Sequence, residues 1–483
     1  MMIVWSISTI AQSVANDDEK DNRSMNVPAK RRLRVMMALV YAVQGAWWPL
    51  LAVHLADLGI SGSARGLIFS TMALAACVTP FLAGQIVDRR VETQRALSFI
   101  YLAGAGLLVV FGSGTIRDPR ILFALMLVYW LLTVPGYGLS NSLTFRNLER
   151  PREEFGGIRL WGTVGWLVAG WGASLTLVRF GVHRPGSGVY GAFLLAAAIS
   201  FVLGVFCLFL PKTPPLAERR SLGDYLSDTR DLIGRSDVRF YLIIAFTVSL
   251  TTPLMYQIVP TDLQARGLPR AWIATAMTLG QIPEILALAF IPFLIHRCGY
   301  RGTLALGILA WSIRYACLWV DPPLWPAIAS VTLHGVATAC FTVGGQMYLD
   351  HRSPPHLRAG AQALNVMTTT GLGSLCGGLS AGVLIDRLGS RSPWIFAIPC
   401  VIDAVLFSAV VVGFARLMKR SSAVETIVAG ANVGVKVVAH ATEADPSIAN
   451  KTTSLTTPQA ASRATDNKIR YKRLRRKGAA RSS

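Results

Sequence analysis

Long apolar blocks recur along most of the chain, and short polar loops separate them. Each block is about 18 to 24 residues long, and a helix of that length spans roughly 30 Å of hydrocarbon at about 1.5 Å per residue. Apolar residues make up 52% of the chain and charged residues only 15%, too few to cover a soluble protein of this length. The pattern therefore predicts a helical protein that crosses a lipid bilayer many times.

Twelve blocks are predicted to be transmembrane helices. Their expected bounds are 35–56, 66–87, 96–113, 120–141, 157–180, 188–210, 239–261, 271–295, 302–320, 325–349, 360–384 and 393–416. The longest internal loop opens with Pro-Lys-Thr-Pro-Pro and divides these helices six and six. Such a division is typical of two-halved transporters, which bind solute between the halves near the bilayer midplane.

The expected organisation is an all-α integral membrane protein with two six-helix halves. Its parts are a disordered N-terminal segment 1–32, the first half 33–210, a linker 211–238, the second half 239–418 and a disordered basic tail 419–483. A monomer is expected.

The net charge of +21 resembles that of a nucleic-acid-binding protein, but its distribution indicates a membrane protein. From Arg416 onward the chain has fourteen Lys or Arg and four Asp or Glu, so this tail supplies much of the charge. The loops on one side of the predicted bundle carry fifteen Lys or Arg against nine on the other. Positive loops face the cytoplasm. We therefore expect an inner-membrane protein with both termini and the linker in the cytoplasm and no nucleic-acid partner; the basic tail could rest on anionic lipid.

The sequence offers no signature of an enzyme. It lacks the phosphate-binding G-x-x-x-x-G-K-[ST], the G-x-S-x-G of serine hydrolases and the H-E-x-x-H of zinc hydrolases. Its seven cysteines show no C-x-x-C spacing, which argues against a metal site or a disulfide framework. No cofactor is expected, and an ion gradient remains as the energy source for transport.

The loop after the second predicted helix reads Gly84-Gln-Ile-Val-Asp88-Arg89-Arg90. It resembles the G-x-x-x-D-R signature of the major facilitator superfamily. Glycine permits close helix approach, and an acid can pair with a neighbouring helix end. The resemblance implies a conformational latch formed by Gly84, Asp88 and Arg89. The corresponding loop at 293–301 lacks the acid.

Five further segments, in order along the chain, resemble the nucleoside:proton symporter family. They begin Pro135-Gly-Tyr-Gly, Ile158-Arg-Leu-Trp-Gly-Thr, Gln281-Ile-Pro-Glu, Ala310-Trp-Ser-Ile-Arg and Ala361-Gln. The resemblance covers about residues 33–418 and implies the major facilitator fold, with proton-coupled import of nucleosides by alternating access. A nucleoside-like solute and a proton are then the expected partners.

Arg159, Thr163 and Trp166 recur at spacings of four and three, so they share one face of the fifth predicted helix. An arginine, a hydroxyl and an aromatic ring together could bind a ribose and stack on a base. From spacing alone, Arg159 could equally be a cation that extends to the membrane interface. The resemblance favours solute binding.

Gln281 and Glu284 lie one turn apart on the eighth predicted helix, with Glu284 roughly 20 Å deep at 1.5 Å per residue. An unpaired carboxylate at that depth is expected to hold a proton or to pair with a cation, and Arg314 lies at similar depth on the ninth helix. A static ion pair and a proton-coupling pair both fit. Asp403 is expected to be protonated or paired, and no motif assigns it a function.

His334 and Thr338 lie four residues apart on the tenth predicted helix and could both contact solute. The family pattern has aromatic residues at these two positions and an acid where this chain has Ala339. Two alternatives therefore stay open. The chain could transport another polar ring solute, such as a sugar or an aromatic acid, or be a sensor that does not transport. A membrane-embedded enzyme would need clustered acids or histidines at one interface, which the sequence does not show.

The charge bias predicts where added cysteines can be labelled. In intact cells, impermeant thiol reagents should not reach Tyr225→Cys in the linker or Gly430→Cys in the tail, whereas Arg117→Cys, in an opposite loop, should react. Labelling of either cytoplasmic position before permeabilisation would overturn the predicted topology.

Overall fold

The computed structural model describes residues 29–181, 189–214, 230, 232–353 and 357–413, with the backbone alone at 80–90, 151–153, 180, 181 and 359. Most of segment 1–32, most of the linker 211–238 and the tail 419–483 lie outside these residues. The first helix begins at Ala29, before its predicted start, and so includes the end of the segment expected to be disordered.

Long helices follow one another through the described residues. They are α1 Ala29–Asp57, α2 Gly62–Arg90, α3 Thr93–Gly112, α4 Pro119–Arg146, α5 Pro151–Thr176 with its continuation Leu177–Gly181, α6 Tyr190–Cys207, α7 Ser236–Ala265, α8 270–298, α9 300–319, α10 Leu324–Arg352, α11 Gly360–Leu388 and α12 Trp394–Gly413. Ten helices in the described chain are long and apolar enough to cross a membrane, with Arg270–Trp319 counted as one of them. α5 is not among the ten. The predicted all-α membrane fold is confirmed.

α8 and α9 are joined without a loop. The chain turns at Gly299, whose φ of 67° and ψ of 176° are not helical. An L side chain is disfavoured at this positive φ, whereas glycine adopts it readily. One residue therefore separates two helices for which the sequence predicted a connecting segment.

α7 is interrupted, although the sequence predicted an unbroken helix over 239–261. It consists of Ser236–Thr251, Leu254–Gln257 and Val259–Ala265. Pro253 has no N–H to donate, and its ring crowds the preceding turn. The Met255 N–H donates instead to the Thr252 carbonyl at 3.1 Å, a tighter turn than that of an α-helix. The interruption lies deep in the bundle and displaces the last part of α7.

Aromatic rings form the core of the first half. The ring centroid of Trp47 lies 5.6 Å from that of Tyr129, 5.7 Å from that of Trp130 and 5.4 Å from that of Phe193. These contacts join α1, α4 and α6. Edge-to-face and tilted pairs at such distances add to the stabilisation that comes from burial.

The two halves meet closely at the end of the bundle where α1 and α11 finish, which we call the closed end. Asp57 of α1 pairs with Arg270 of α8 at 2.6 Å. The Asp386 carboxylate of α11 accepts hydrogen bonds from the backbone N–H groups of Gly62 and Ser63, at 2.6 and 2.8 Å. A carboxylate is favoured at these first N–H groups of α2, which lack partners within their own helix.

Glycines let α2 and α11 approach each other at the closed end. A Cβ atom added at Gly382 would lie 2.5 Å from the Gly62 carbonyl oxygen, and one added at Gly66 would lie 2.7 Å from the Gly378 carbonyl oxygen. Only residues without a side chain fit at this spacing. Ion pairs at the opposite end join residues of the same half, as between Lys30 and Glu154 at 2.8 Å.

The glycine contact predicts how the closed end can be opened. Gly382→Val should destabilise the closed arrangement by about 1–3 kcal/mol, as overpacking does. Each 1.4 kcal/mol changes the ratio of two states about tenfold. The distribution of distances between spin labels at Leu58→Cys and Ser390→Cys should then contain a larger fraction of long distances.

Gly106→Val is the matched control, because an added Cβ on this α3 glycine meets nothing within 4 Å. It should leave the label distances unchanged. Equal distance distributions for Gly382→Val and the parent protein would show that the glycine contact does not hold the closed end together.

Candidate functional site

Arg159 of α5 packs against an aromatic residue inside the bundle. Its guanidinium carbon lies 4.0 Å from the ring centroid of Tyr41 on α1, a cation–π contact. Tyr41 in turn packs against Tyr137 of α4, with ring centroids 5.4 Å apart. The Tyr137 hydroxyl donates a hydrogen bond to Gln44 Oε1. Arg159 thus belongs to a polar and aromatic cluster formed by three helices of the first half.

The other two α5 candidates lie along the same helix. Thr163 is buried and Trp166 is half-buried. The backbone of Trp166 is packed against Gly45 of α1, where an added Cβ would lie 2.6 Å from the Trp166 carbonyl oxygen. This close approach of α1 and α5 fixes the height of Arg159 relative to Tyr41.

Gln281 and Glu284 lie at a helix start that the sequence did not reveal. α8 is interrupted after Thr278, and a new helical segment begins at Gln281, with Glu284 in its first turn. The N-terminus of a helix carries a partial positive charge, which favours a carboxylate there. Interrupted helices whose ends point at a solute are typical of transporter sites.

The charge that acts on Glu284 comes from the other half of the protein. The Arg159 guanidinium of α5 interacts electrostatically with the Glu284 carboxylate of α8. The three guanidinium nitrogens of Arg314 have no hydrogen-bond partner among the described residues. The static ion pair between Glu284 and Arg314 that the sequence left open is therefore not formed.

His334 of α10 is buried between two aromatic residues. Its Nδ1 lies 3.5 Å from Trp311 Nε1, which donates to it, and its ring stands edge-on to Tyr256 of α7 at 6.1 Å. Thr338 is half-buried and begins a π-helical turn, Thr338–Val343. Ala339, at the position where the family pattern has an acid, is fully buried.

Tyr256 joins the candidate residues of the second half electrostatically. It interacts with the charges of both Glu284 and Arg314. Its ring also lies 6.0 Å from that of Trp48 in the first half. The sequence analysis missed Tyr256, Tyr41 and Gln44. The spacing of three between Tyr41 and Gln44, polar residues inside an apolar helix, is a signal that could have indicated them.

The latch residues Gly84, Asp88 and Arg89 lie on the cytoplasm-directed end predicted for α2, in its last turns. Their side chains are outside the described residues. Within the described part of the chain, no group of three or more His, Cys, Asp or Glu is placed to hold a metal ion.

The fold is that of a solved nucleoside transporter. The crystal structure of nucleoside transporter NupG superposes with a TM-score of 0.70, over 80% of this chain and 99% of that one, at 23% identity. A POT family transporter, PepTSo, superposes with a TM-score of 0.60 over 80% of this chain and 98% of that one, at 13% identity. This chain therefore has the fold that these two solved structures share.

Sequence comparison identifies the family. The family model described as nucleoside H+ symporter matches residues 25–423. The chain is 30% identical to YegT of Escherichia coli (strain K12), over 74% of this chain and 84% of YegT. It is 25% identical to xanthosine permease of the same organism, over 74% and 87% of the two chains. The protein belongs to the nucleoside H+ symporter family, as the sequence motifs predicted.

If Arg159, Thr163 and Gln281 contact solute, each should contribute to its affinity. Replacing any one of them with alanine should weaken nucleoside binding by about 1–3 kcal/mol, the usual effect of a lost buried hydrogen bond. Binding to purified protein, measured by calorimetry, checks the size of the effect.

Arg179→Ala is the matched control for Arg159→Ala, because Arg179 is exposed at the other end of the same helix. It should leave the affinity unchanged. Unaltered binding by all three site variants would assign Arg159 a purely structural part in the contact with Tyr41.

Proposed function

We propose that this member of the family imports nucleosides together with protons, with the solute bound between Arg159 of the first half and Glu284 of the second. The match of residues 25–423 to the nucleoside H+ symporter family carries the proposal. The placement of Arg159 against Tyr41 in one half, and of Glu284 in the first turn of the segment that begins at Gln281 in the other, supports it. A solute inserted between opposite charges changes the interaction of the two halves, which alternating access requires.

Residues of both halves would recognise different parts of the nucleoside. Arg159, Thr163 and Gln281 supply hydrogen-bonding groups suited to ribose hydroxyls. Trp166 offers an aromatic face for the base. His334 and Thr338 would contact the base from α10, where they offer one ring and one hydroxyl in place of two aromatic rings. Fewer stacking contacts should give weaker discrimination between bases.

Glu284 is the residue that would carry the coupling proton. An ionised Glu284 attracts Arg159, whereas a protonated one can only share a hydrogen bond, so the proton changes how firmly the halves hold each other. Arg314 would influence Glu284 through Tyr256, which interacts with both charges. The latch formed by Gly84, Asp88 and Arg89 would stabilise one of the two orientations.

In this proposal the protein is a monomer in the cell inner membrane, with both termini in the cytoplasm. The closed end then faces outward, away from the cytoplasm. The pairing of Asp57 with Arg270 and the capping of α2 by Asp386 would hold the outer gate shut.

A second candidate is transport of a different polar ring solute, above all a sugar. Thr338 favours it, because a hydroxyl suits sugar binding where the family pattern stacks an aromatic ring. The chain is also 26% identical to maltose permease of Geobacillus stearothermophilus, over 76% of this chain and 91% of that one. Uptake of labelled nucleosides and maltose by proteoliposomes, with and without a pH gradient, separates the two candidates. A sensor without transport would take up neither.

Glu284→Gln tests the proton site directly, because the amide mimics a protonated carboxyl group. The variant should still exchange nucleoside across the membrane but lose accumulation driven by a pH gradient. Proteoliposome uptake and counterflow, measured side by side, report the two activities.

Glu92→Gln is the matched control, because it makes the same change in an acid near the start of α3 that pairs with Arg95 at 2.9 Å. This variant should accumulate nucleoside as the parent protein does. If Glu284→Gln still concentrates nucleoside in a pH-dependent way, the coupling proton is not carried by Glu284.

A further inference from the structure

Two ionisable side chains of the second half are fully buried, and neither contacts solute in the proposed function. Arg314 of α9 and Asp403 of α12 are both 0% exposed. A charge in the membrane interior is costly unless a partner compensates it, so an ionisable residue there is by default a candidate for function. The surroundings of Asp403 indicate what that function is.

Thr251 of α7 offers its hydroxyl to two acceptors. Its Oγ1 lies 2.8 Å from the Val248 carbonyl oxygen, and 3.3 and 3.4 Å from the two carboxylate oxygens of Asp403. A threonine hydroxyl has only one proton to donate. When that proton goes to Val248, a hydrogen bond between Thr251 and Asp403 needs a proton on the carboxyl group. When Asp403 is ionised, the hydroxyl must turn toward it and leave Val248.

Arg314 depends on the charge of Asp403. Its Nε, Nη1 and Nη2 have no hydrogen-bond partner among the described residues, and Asp403 is the acid whose charge acts on it. A proton bound by Asp403 would leave this buried cation with only the Tyr315 ring, whose centroid lies 5.1 Å from the guanidinium carbon, and without a negative charge beside it, a costly arrangement. The protein would then favour any rearrangement that gives Arg314 another partner.

The pair and the polar groups around it come from four helices. Asp403 is faced by Thr251 of α7 and by Arg314 and Tyr315 of α9. Arg314 is faced in addition by Tyr256 of α7 and by His334 of α10. Asp403 and Arg314 are the charged members of this group, since the tyrosines and the histidine are neutral in an apolar interior.

Thr251 lies where α7 is interrupted. It ends the first segment of the helix, and its carbonyl oxygen accepts a hydrogen bond from the Tyr315 hydroxyl at 2.7 Å. Beyond the interruption, Tyr256 contacts Trp48 of the first half. A change at Thr251 therefore acts on the joint between two parts of α7, one of which touches the other half of the protein.

From this geometry we infer that Asp403 is a second proton-binding residue of the transport cycle and that Thr251 relays its protonation to the interruption in α7. The proton adds to a carboxylate oxygen and later leaves from it, and no other covalent bond changes. With it, the Thr251 hydroxyl turns between Asp403 and Val248. The inference rests on the proposed function, because a proton-coupled cycle gives this protonation its use.

Hydrogen exchange of the purified protein without solute tests the relay. After correction for intrinsic exchange, protection of the amides at 252–258 should differ about tenfold between acidic and alkaline pH, a change in local opening free energy within the usual range. Asp403→Asn should abolish that difference, because its side chain cannot titrate. Asp403→Glu should restore a pH dependence with a shifted midpoint.

Two hydroxyl variants separate the relay from general packing. Thr251→Val keeps the shape of the side chain but removes the hydroxyl, and it should also abolish the pH difference at 252–258. Ser312→Ala is the matched control, because Ser312 of α9 donates to the Cys400 carbonyl of α12 at 3.3 Å in the same interface without touching Asp403. It should keep the wild-type pH difference.

A wild-type pH difference in Asp403→Asn would overturn the inference. If that variant does not fold, the same result in Thr251→Val would overturn it. The proposed function fails separately, when the wild-type protein transports no nucleoside. In that case the exchange data still decide whether Asp403 and Thr251 form a proton-sensitive joint.

Discussion

The absence of water inside the bilayer is the constraint on which the rest of the structure depends. Every backbone N–H and C=O group there must find a partner within the protein, so the chain crosses as helices. The helices can be interrupted only where other groups replace the lost hydrogen bonds. At the end of the first α7 segment, the Tyr315 hydroxyl does this for the Thr251 carbonyl. The interruption is therefore tied to a specific neighbour.

These interruptions place the deep polar side chains of the candidate site. α8 starts a new segment at Gln281, which puts Glu284 in a first turn, and the charge of Arg159 from the first half acts on Glu284. Because α7 is interrupted next to Thr251, a hydroxyl and a carbonyl of the same residue face Asp403 and Tyr315. The deep acids thus lie beside joints in helices, where a change in charge can alter the backbone.

The contact that closes one end of the bundle is made by different groups from those that form the core. In the first half, aromatic rings such as Trp47 and Trp130 are packed together and hold α1 against α4. Between α2 and α11, by contrast, backbones meet at glycines and a single carboxylate caps a helix start. Few side chains interdigitate across such a surface, so separating it would break few packing contacts and would leave the core of each half intact.

The sequence by itself determined the class of fold, because membrane-spanning length and apolar composition leave few alternatives. It also identified the family, since motifs such as Ile158-Arg159-Leu-Trp161 and Gln281-Ile-Pro-Glu284 occur in the family order and the family model matches them. It indicated Glu284 and Arg159 as candidates from their depth and spacing.

Only the tertiary structure decided which charges interact. The sequence places Arg314 at the depth of Glu284, yet depth along a helix says nothing about which way a side chain points or where a helix is interrupted. In the folded protein Arg159 acts on Glu284 and Asp403 acts on Arg314. These pairings join helices that are far apart in the chain, so only the packing of the helices against one another could decide them.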